Sequence, residues 1–180
     1  PTGYDMSKEA LESGVSLPAV HPDTGRDERY VIKFIEPISA NRAALGLDIA
    51  FEENRRRAAE LSREMNKVRL SQPIELVQDT KGKVAYLLLR PIYKQQAEYE
   101  TEAGSGDGFL GWAYMPIIGE ILFETLSEQQ GRAFTLNVYD GSSENEISSR
   151  FSDGPESSAA EPLFEVTRNI DAFGRKWTLV

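Results

Sequence analysis

The chain has 180 residues, a formal net charge of −9, 40% hydrophobic and 27% charged residues, and no cysteine. That length buries a sizeable core in one ordinary domain or two small ones, with the composition of a globular chain and not a disordered one. The acidic balance argues against a nucleic-acid partner, and the missing cysteines exclude disulfides, thiolate metal sites and a cysteine nucleophile.

In chain order, SKEALESG from Ser7 reads as a short helix, with Ser7 as cap and Gly14 as stop. PAVHPDTGRDE is turn chemistry. RYVIKFIEP then alternates, with Tyr30, Ile32 and Phe34 on one face, which predicts a strand ended by Pro37. AALGLDIA from Ala43 reads as a second strand. The helix that follows, FEENRRRAAELSREMNK, places Phe51, Ala58, Leu61 and Met65 at helical spacing and Glu52 and Glu53 near its amino end. IELVQD, VAYLLLRPIY and GFLGWAYMPI are three further strands, and KQQAEYETEAGSGDG is a long exposed hairpin loop. IIGEILFETLSEQQG reads as an amphipathic helix. AFTLNVYDG, ISSRFSD and a closing hairpin around Gly174 complete the chain. Antiparallel hairpins with interposed helices indicate an α+β fold.

No apolar run reaches the roughly 20 residues that span a bilayer, and PTGYDMSKEALESG lacks the apolar core of a signal peptide. Beginning at Pro1 and ending in the strand-like WTLV, the chain is expected to be a piece of a longer protein, which leaves room for membrane segments elsewhere.

The chemistry-bearing candidates are few. His21 is the only histidine, so neither a Ser-His-Asp triad nor a multi-histidine metal site is readily built, and in the loop HPDTG it reads as a surface residue. No metal site and no cofactor are expected: GFLGW carries no nucleotide cradle or nucleophile elbow, and GSGDG lacks the ligand spacing of an EF-hand. A carboxylate enzyme would draw on Glu36 and Asp48, yet each has a structural reading, at a turn before Pro37 and as a hydrogen-bond acceptor for nearby backbone or an arginine. No catalytic residue is assigned. Arg55, Arg56 and Arg57 point in three directions on their helix. Arg55 lies nearest the sheet, either snorkelling to a carboxylate such as Asp48 or Glu36, or anchoring an anionic or polar ligand between helix and sheet.

YVIKFIEPISANRAALGLDIAFEENRRRAAELSRE, RLSQPIELVQDTKGKVAYLLLRPIY, GFLGWAYMPIIGEIL, FTLNVYD and FGRKWTL, in that order, strongly resemble the CHASE domain, from about Tyr30 to the carboxyl terminus. The most specific parts are the EP and ANRAALGLD motifs, the PIY ending the long strand, GFLG and VYD. The resemblance implies an extracytoplasmic ligand-binding sensor of a transmembrane histidine kinase or cyclic-di-GMP enzyme, periplasmic or extracellular, not itself an enzyme. It implies tandem PAS-like units, a membrane-distal ligand-binding one over residues 1–115 and a membrane-proximal one over 116–180. A homodimer through an amino-terminal stalk helix, largely absent from this chain, is the implied assembly.

By the same resemblance the ligand-facing positions are Arg55, Leu70, Ser71, Val77 (through its backbone), Leu89, Gly111 and Trp112, with Tyr86 and Tyr114 as additions. One departure sets the ligand expectation. Plant cytokinin receptors place a carboxylate on this helix where the present sequence has Arg55. A guanidinium only donates hydrogen bonds, which disfavours an adenine hormone and favours a small, anionic ligand. The alternative is a protein-interaction module with a vestigial pocket, filled by Trp112 and Leu89.

Overall fold

The structure is a computed structural model, described over residues 19–77, 83–94, 108–123, 135–141, 150–153 and 164–180. The expected helix over residues 7–14, the loop over 95–107 and the later part of the helix expected after Pro116 lie outside the described residues; within them, residues 119–123 are helical. The fold is α+β. Helix α1 spans Ile38–Asn41 and α2 spans Glu53–Met65. The strands are β1 (Arg69–Leu70), β2 (Ile74–Glu75), β3 (Val84–Tyr93), β4 (Phe109–Ile118), β5 (Leu136–Asp140), β6 (Arg150–Asp153), β7 (Arg168–Ala172) and β8 (Arg175–Leu179).

They form two antiparallel four-stranded sheets. In the first, β3 is the axis: β4 pairs along one edge, and β1 and β2 share the other, opposite Leu88 to Leu89 and Val84 to Ala85. The second runs β6-β5-β8-β7.

Helix α2 is fixed at both ends. The Glu52 carboxylate accepts from the amides of Asn54 and Arg55 at 2.9 Å, satisfying donors that a helix start leaves open. Asn66, at φ 47°, closes the other end by donating to the Ser62 and Arg63 carbonyls. The buried face differs from the expected one. Arg55, Ala58, Ala59 and Ser62 face the sheet, while Phe51 and Met65 are exposed. Small side chains let the helix lie close to β3 and β4, and the Trp112 indole N–H reaches the Ser62 Oγ at 2.7 Å and the Ala59 carbonyl at 3.2 Å.

The two strands expected before α2 are replaced by a compact irregular unit. Residues 42–44 and 49–51 form 3-10 turns, and pairing with the 30–32 segment is short: a bridge between Val31 and Asp48, with the Ile32 amide donating to the Leu47 carbonyl and the Gly46 and Ile49 amides to the carbonyls of Ile32 and Tyr30. Two residues cause this. Gly46 takes φ 83°, a left-handed conformation that turns the chain at little cost only for glycine. The buried Asp48 carboxylate then accepts from the amides of Ala50 (3.0 Å) and Tyr30 (2.9 Å) and the hydroxyl of Thr24 (3.0 Å), adding side-chain bonds to the few backbone ones. Beyond Ile32 the alternation fails, leaving Phe34 77% exposed while Ile35 packs on the core.

The core has two parts, one on each face of β3. Ala85, Leu87 and Leu89 meet α2 and the 30–50 unit on one face. On the other, Tyr86 joins Leu70, Phe123, Val138, Phe151 and Trp177, so the second core is shared by both sheets. The Tyr86 ring lies 5.6 Å from that of Trp177 and 6.3 Å from that of Phe151. Gly119 is needed here because a Cβ would fall 2.2 Å from the Phe151 ring.

Candidate functional site

A cavity of about 20 Å³ lies between α2, the 30–50 unit and the first sheet. Its walls are aliphatic, among them Ile32, Leu47, Ile49, Ile74, Leu76 and Leu87, and the polar side chains on it are Arg55 and Tyr114. The volume accommodates about one water.

Arg55 is 4% exposed. Its Nη2 donates to the Glu75 carbonyl of β2, its guanidinium lies 5.2 Å from the Phe51 ring centre, and Glu52 Oε2 stands 3.9 Å from Nε. The carboxylate paired with it is therefore Glu52, its own helix cap, rather than Asp48 or Glu36. Nε itself is buried without a hydrogen-bond partner. Burial lowers the Arg55 pKa from its usual value and Glu52 opposes the change, but an arginine stays charged. Tyr114 repeats the pattern: its hydroxyl is buried without a partner, and burial pushes its pKa up to about 12. Buried polar atoms normally find partners, and leaving one without costs about 1–3 kcal/mol. Two such atoms belong to the two polar side chains of one cavity.

The other residues expected at the ligand do not line this cavity. Leu89 is fully buried under α2, and Trp112 packs edge-on against Phe109 with its ring centre 4.7 Å from that of Tyr30. Leu70 and Tyr86 belong to the core between the sheets. Ser71 is buried in strand register, its Oγ donating to the Gln72 carbonyl and accepting from the Leu87 amide. Val77 is 45% exposed, and Gly111 at φ 148° faces open space. The sequence does not single out the aliphatic wall drawn from Ile32, Leu47 and Ile49, because their pattern reads as ordinary strands; backbone bonds from Ile32 to Leu47 and from Ile49 to Tyr30 bring them together, with the Asp48 carboxylate bonds beside them.

His21 is exposed, with Nε2 3.2 Å from the Leu45 carbonyl. The candidate carboxylates do not form a catalytic pair at the cavity: Asp48 is engaged by three donors, and Glu36 is exposed and accepts from the Ile38 amide at 3.3 Å. Among the described residues no cluster of metal-ligating side chains occurs, and no helix is long and apolar enough to cross a membrane.

The CHASE domain family model matches residues 3–149 of the 180-residue chain. No curated protein gives a significant match. With its match spanning most of the length and its two antiparallel sheets, the chain belongs to the CHASE family, extracytoplasmic sensor domains of membrane receptors that are not themselves catalytic.

Proposed function

We propose that this domain senses a small, anionic molecule held in the cavity beside Arg55 and passes a conformational signal across the membrane, within a histidine kinase or cyclic-di-GMP enzyme. The observation that carries this reading is the pairing of two buried, unpartnered polar atoms, Arg55 Nε and Tyr114 Oη, on side chains that line one otherwise aliphatic cavity. Neither atom has a hydrogen-bond partner there, Nε facing only Glu52 at 3.9 Å, and an unmet buried hydrogen bond costs stability.

Binding has a ready means of becoming movement. Arg55 Nη2 to the Glu75 carbonyl and Asn54 Nδ2 to the Pro73 carbonyl (3.1 Å) fasten the 73–77 segment to α2. A ligand acceptor that takes the Arg55 donors competes with Glu75, and a molecule larger than one water needs that segment to move outward. A ligand that binds the opened arrangement better shifts the population toward it. In this reading the unit expected over residues 1–115 is the membrane-distal, ligand-holding one, and 116–180 is the membrane-proximal one. The receptor is anchored outside the sequence described, in a periplasmic or extracellular setting, and dimerises through an amino-terminal stalk helix.

The small volume of the cavity favours a second reading, a protein-interaction module with a vestigial pocket. Native mass spectrometry of the wild-type chain beside Arg55→Ala, followed by a thermal-shift screen of small acids, nucleobases and amino acids, separates the two. A co-purifying or stabilising compound lost in Arg55→Ala supports the sensor. If both proteins are empty and no compound shifts either melting curve, the sensor reading fails and the second takes its place.

A further inference from the structure

Resting on the sensor reading above, we infer that the cavity selects a short aliphatic monocarboxylate. The selection follows from what the walls contain. A ligand must place its charge against the single guanidinium, and Nε with the adjacent Nη2 forms the fork that takes both oxygens of one carboxylate. Nη2 at present serves the Glu75 carbonyl, and Nε has no hydrogen-bond partner and faces only the Glu52 carboxylate at 3.9 Å. A carboxylate therefore gains two charge-assisted bonds while displacing one, and Glu75 is an exposed residue whose carbonyl can turn to water. The Tyr114 hydroxyl supplies a further donor to a polar ligand head.

The other anion classes meet a charge they cannot neutralise. Glu52, 3.9 Å from Nε, already offsets part of the Arg55 charge. Among the described residues no second cation lines the cavity, so the second charge of a dicarboxylate or a phosphate dianion would sit among Ile32, Leu47, Ile49 and Leu76. No acidic side chain of the described residues lines it either, which leaves the ammonium of an amino acid without a counter-charge on the cavity wall. The same aliphatic walls suit an alkyl body. The cavity holds about one water as it stands, so the alkyl body is limited to the few carbons that outward movement of the 73–77 segment admits.

Isothermal titration and thermal shift of the 180-residue chain at pH 7 and fixed ionic strength test this, with acetate, propionate and isobutyrate against propionamide, succinate, inorganic phosphate and alanine. The expected result is saturable binding of propionate or isobutyrate. Propionamide, which has the shape without the charge, binds at least about tenfold more weakly, a loss of about 1.4 kcal/mol. Arg55→Met abolishes the carboxylate response, and Tyr114→Phe weakens it several-fold. The amide comparison needs no variant, so a misfolded substitution does not blunt the test. Arg55-dependent binding of succinate, phosphate or alanine with none of the monocarboxylates overturns this inference while leaving the sensor reading in place. Equal binding of propionate and propionamide overturns it as well. No response to any compound, with nothing retained in native mass spectrometry, overturns both.

Discussion

Arg55→Met separates a guanidinium kept for a ligand from one kept for the fold. The substitution removes the bond to the Glu75 carbonyl, the contact with the Phe51 ring and the 3.9 Å pairing with Glu52, worth about 1.5–3 kcal/mol for a hydrogen bond to a charged group, about 0.5–1 kcal/mol for an exposed cation–π pair and about 0.3–0.5 kcal/mol for an ion pair along a helix. Neither former partner is stranded: Glu75 and Phe51 are exposed, and Glu52 keeps its bonds to the helix amides. Against these losses, a guanidinium with an unpartnered Nε leaves the interior, worth about 1–3 kcal/mol, and the methionine side chain fills much of the same space, with about 1.5–3 kcal/mol available from its burial. The gains match or exceed the losses, so the variant loses no more than about 1 kcal/mol relative to wild type. For a chain of this length that is a change in Tm of about 2–4 °C or less. The stabilisation from a bound monocarboxylate, about 2.7 kcal/mol at one hundred times its Kd, vanishes with it. Thermal melts of both proteins with and without ligand read both quantities. A structural buried ion pair behaves differently, costing about 3–5 kcal/mol when one partner is removed. A fall in Tm of more than about 6 °C in Arg55→Met without ligand would refute the claim that this arginine is held for binding.

Tyr114→Phe removes a buried hydroxyl that has no partner, so its urea midpoint at pH 7 should correspond to a gain of about 1 kcal/mol; a loss of that size would mean the hydroxyl is satisfied. Tyr114, through burial, and Tyr30, through burial and the nearby Glu28 and Glu60, have pKa values pushed up to about 12, against about 10 in the unfolded chain. The unfolded state releases these protons first, so their stabilisation is complete below pH 10 and is lost from pH 10 to 12. Urea midpoints across that range should fall, less steeply in Tyr114→Phe, and a flat wild-type profile contradicts the argument. Asp140→Asn leaves the Arg175 guanidinium facing a neutral amide where a buried carboxylate had accepted Nε at 2.9 Å and Nη2 at 2.6 Å. It should cost about 3 kcal/mol or more, and a urea midpoint within about 1 kcal/mol of wild type would show that this pair does little to hold the second sheet.

The long elements were legible because their pattern was redundant. VAYLLLRPIY and GFLGWAYMPI are each ten residues of strand-forming sequence, and both appear as strands. Helix α2 was equally plain, but its face was read from the large apolar residues, whereas close packing put Ala58, Ala59 and Ser62 inward and left Met65 in solvent. Arg55 could still be oriented, since it falls one turn from Ala58 and Ala59. The segment around ALGLD was misread because local propensity is overruled there by a positive-φ glycine and by one aspartate side chain that bonds to backbone. The aliphatic half of the cavity is built from that segment. Its polar half was named from the sequence, and its apolar half could not be until the turn was known.

Strand β3 ties the proposed site to the rest of the molecule within two consecutive residues. Leu87 lines the cavity, while Tyr86, one step earlier, points to the opposite face, where its hydroxyl lies 3.3 Å from Asp140 and its ring packs on Trp177. Asp140 in turn accepts a forked pair of bonds from Arg175 at the start of β8. Between them these contacts join β3 to β5 and β8, the two central strands of the second sheet. β2, whose Glu75 carbonyl is bound by Arg55, pairs with β3 at Val84 and Ala85. Outward movement of the 73–77 segment therefore acts on β3 immediately beside Tyr86, and a small displacement there must be absorbed by a buried charge pair and a tightly packed aromatic core. Close packing resists gradual deformation. A ligand that alters Arg55's bonding thus acts one strand away from the joint between the sheets, and the conformational step required of a sensor need not travel through a loop.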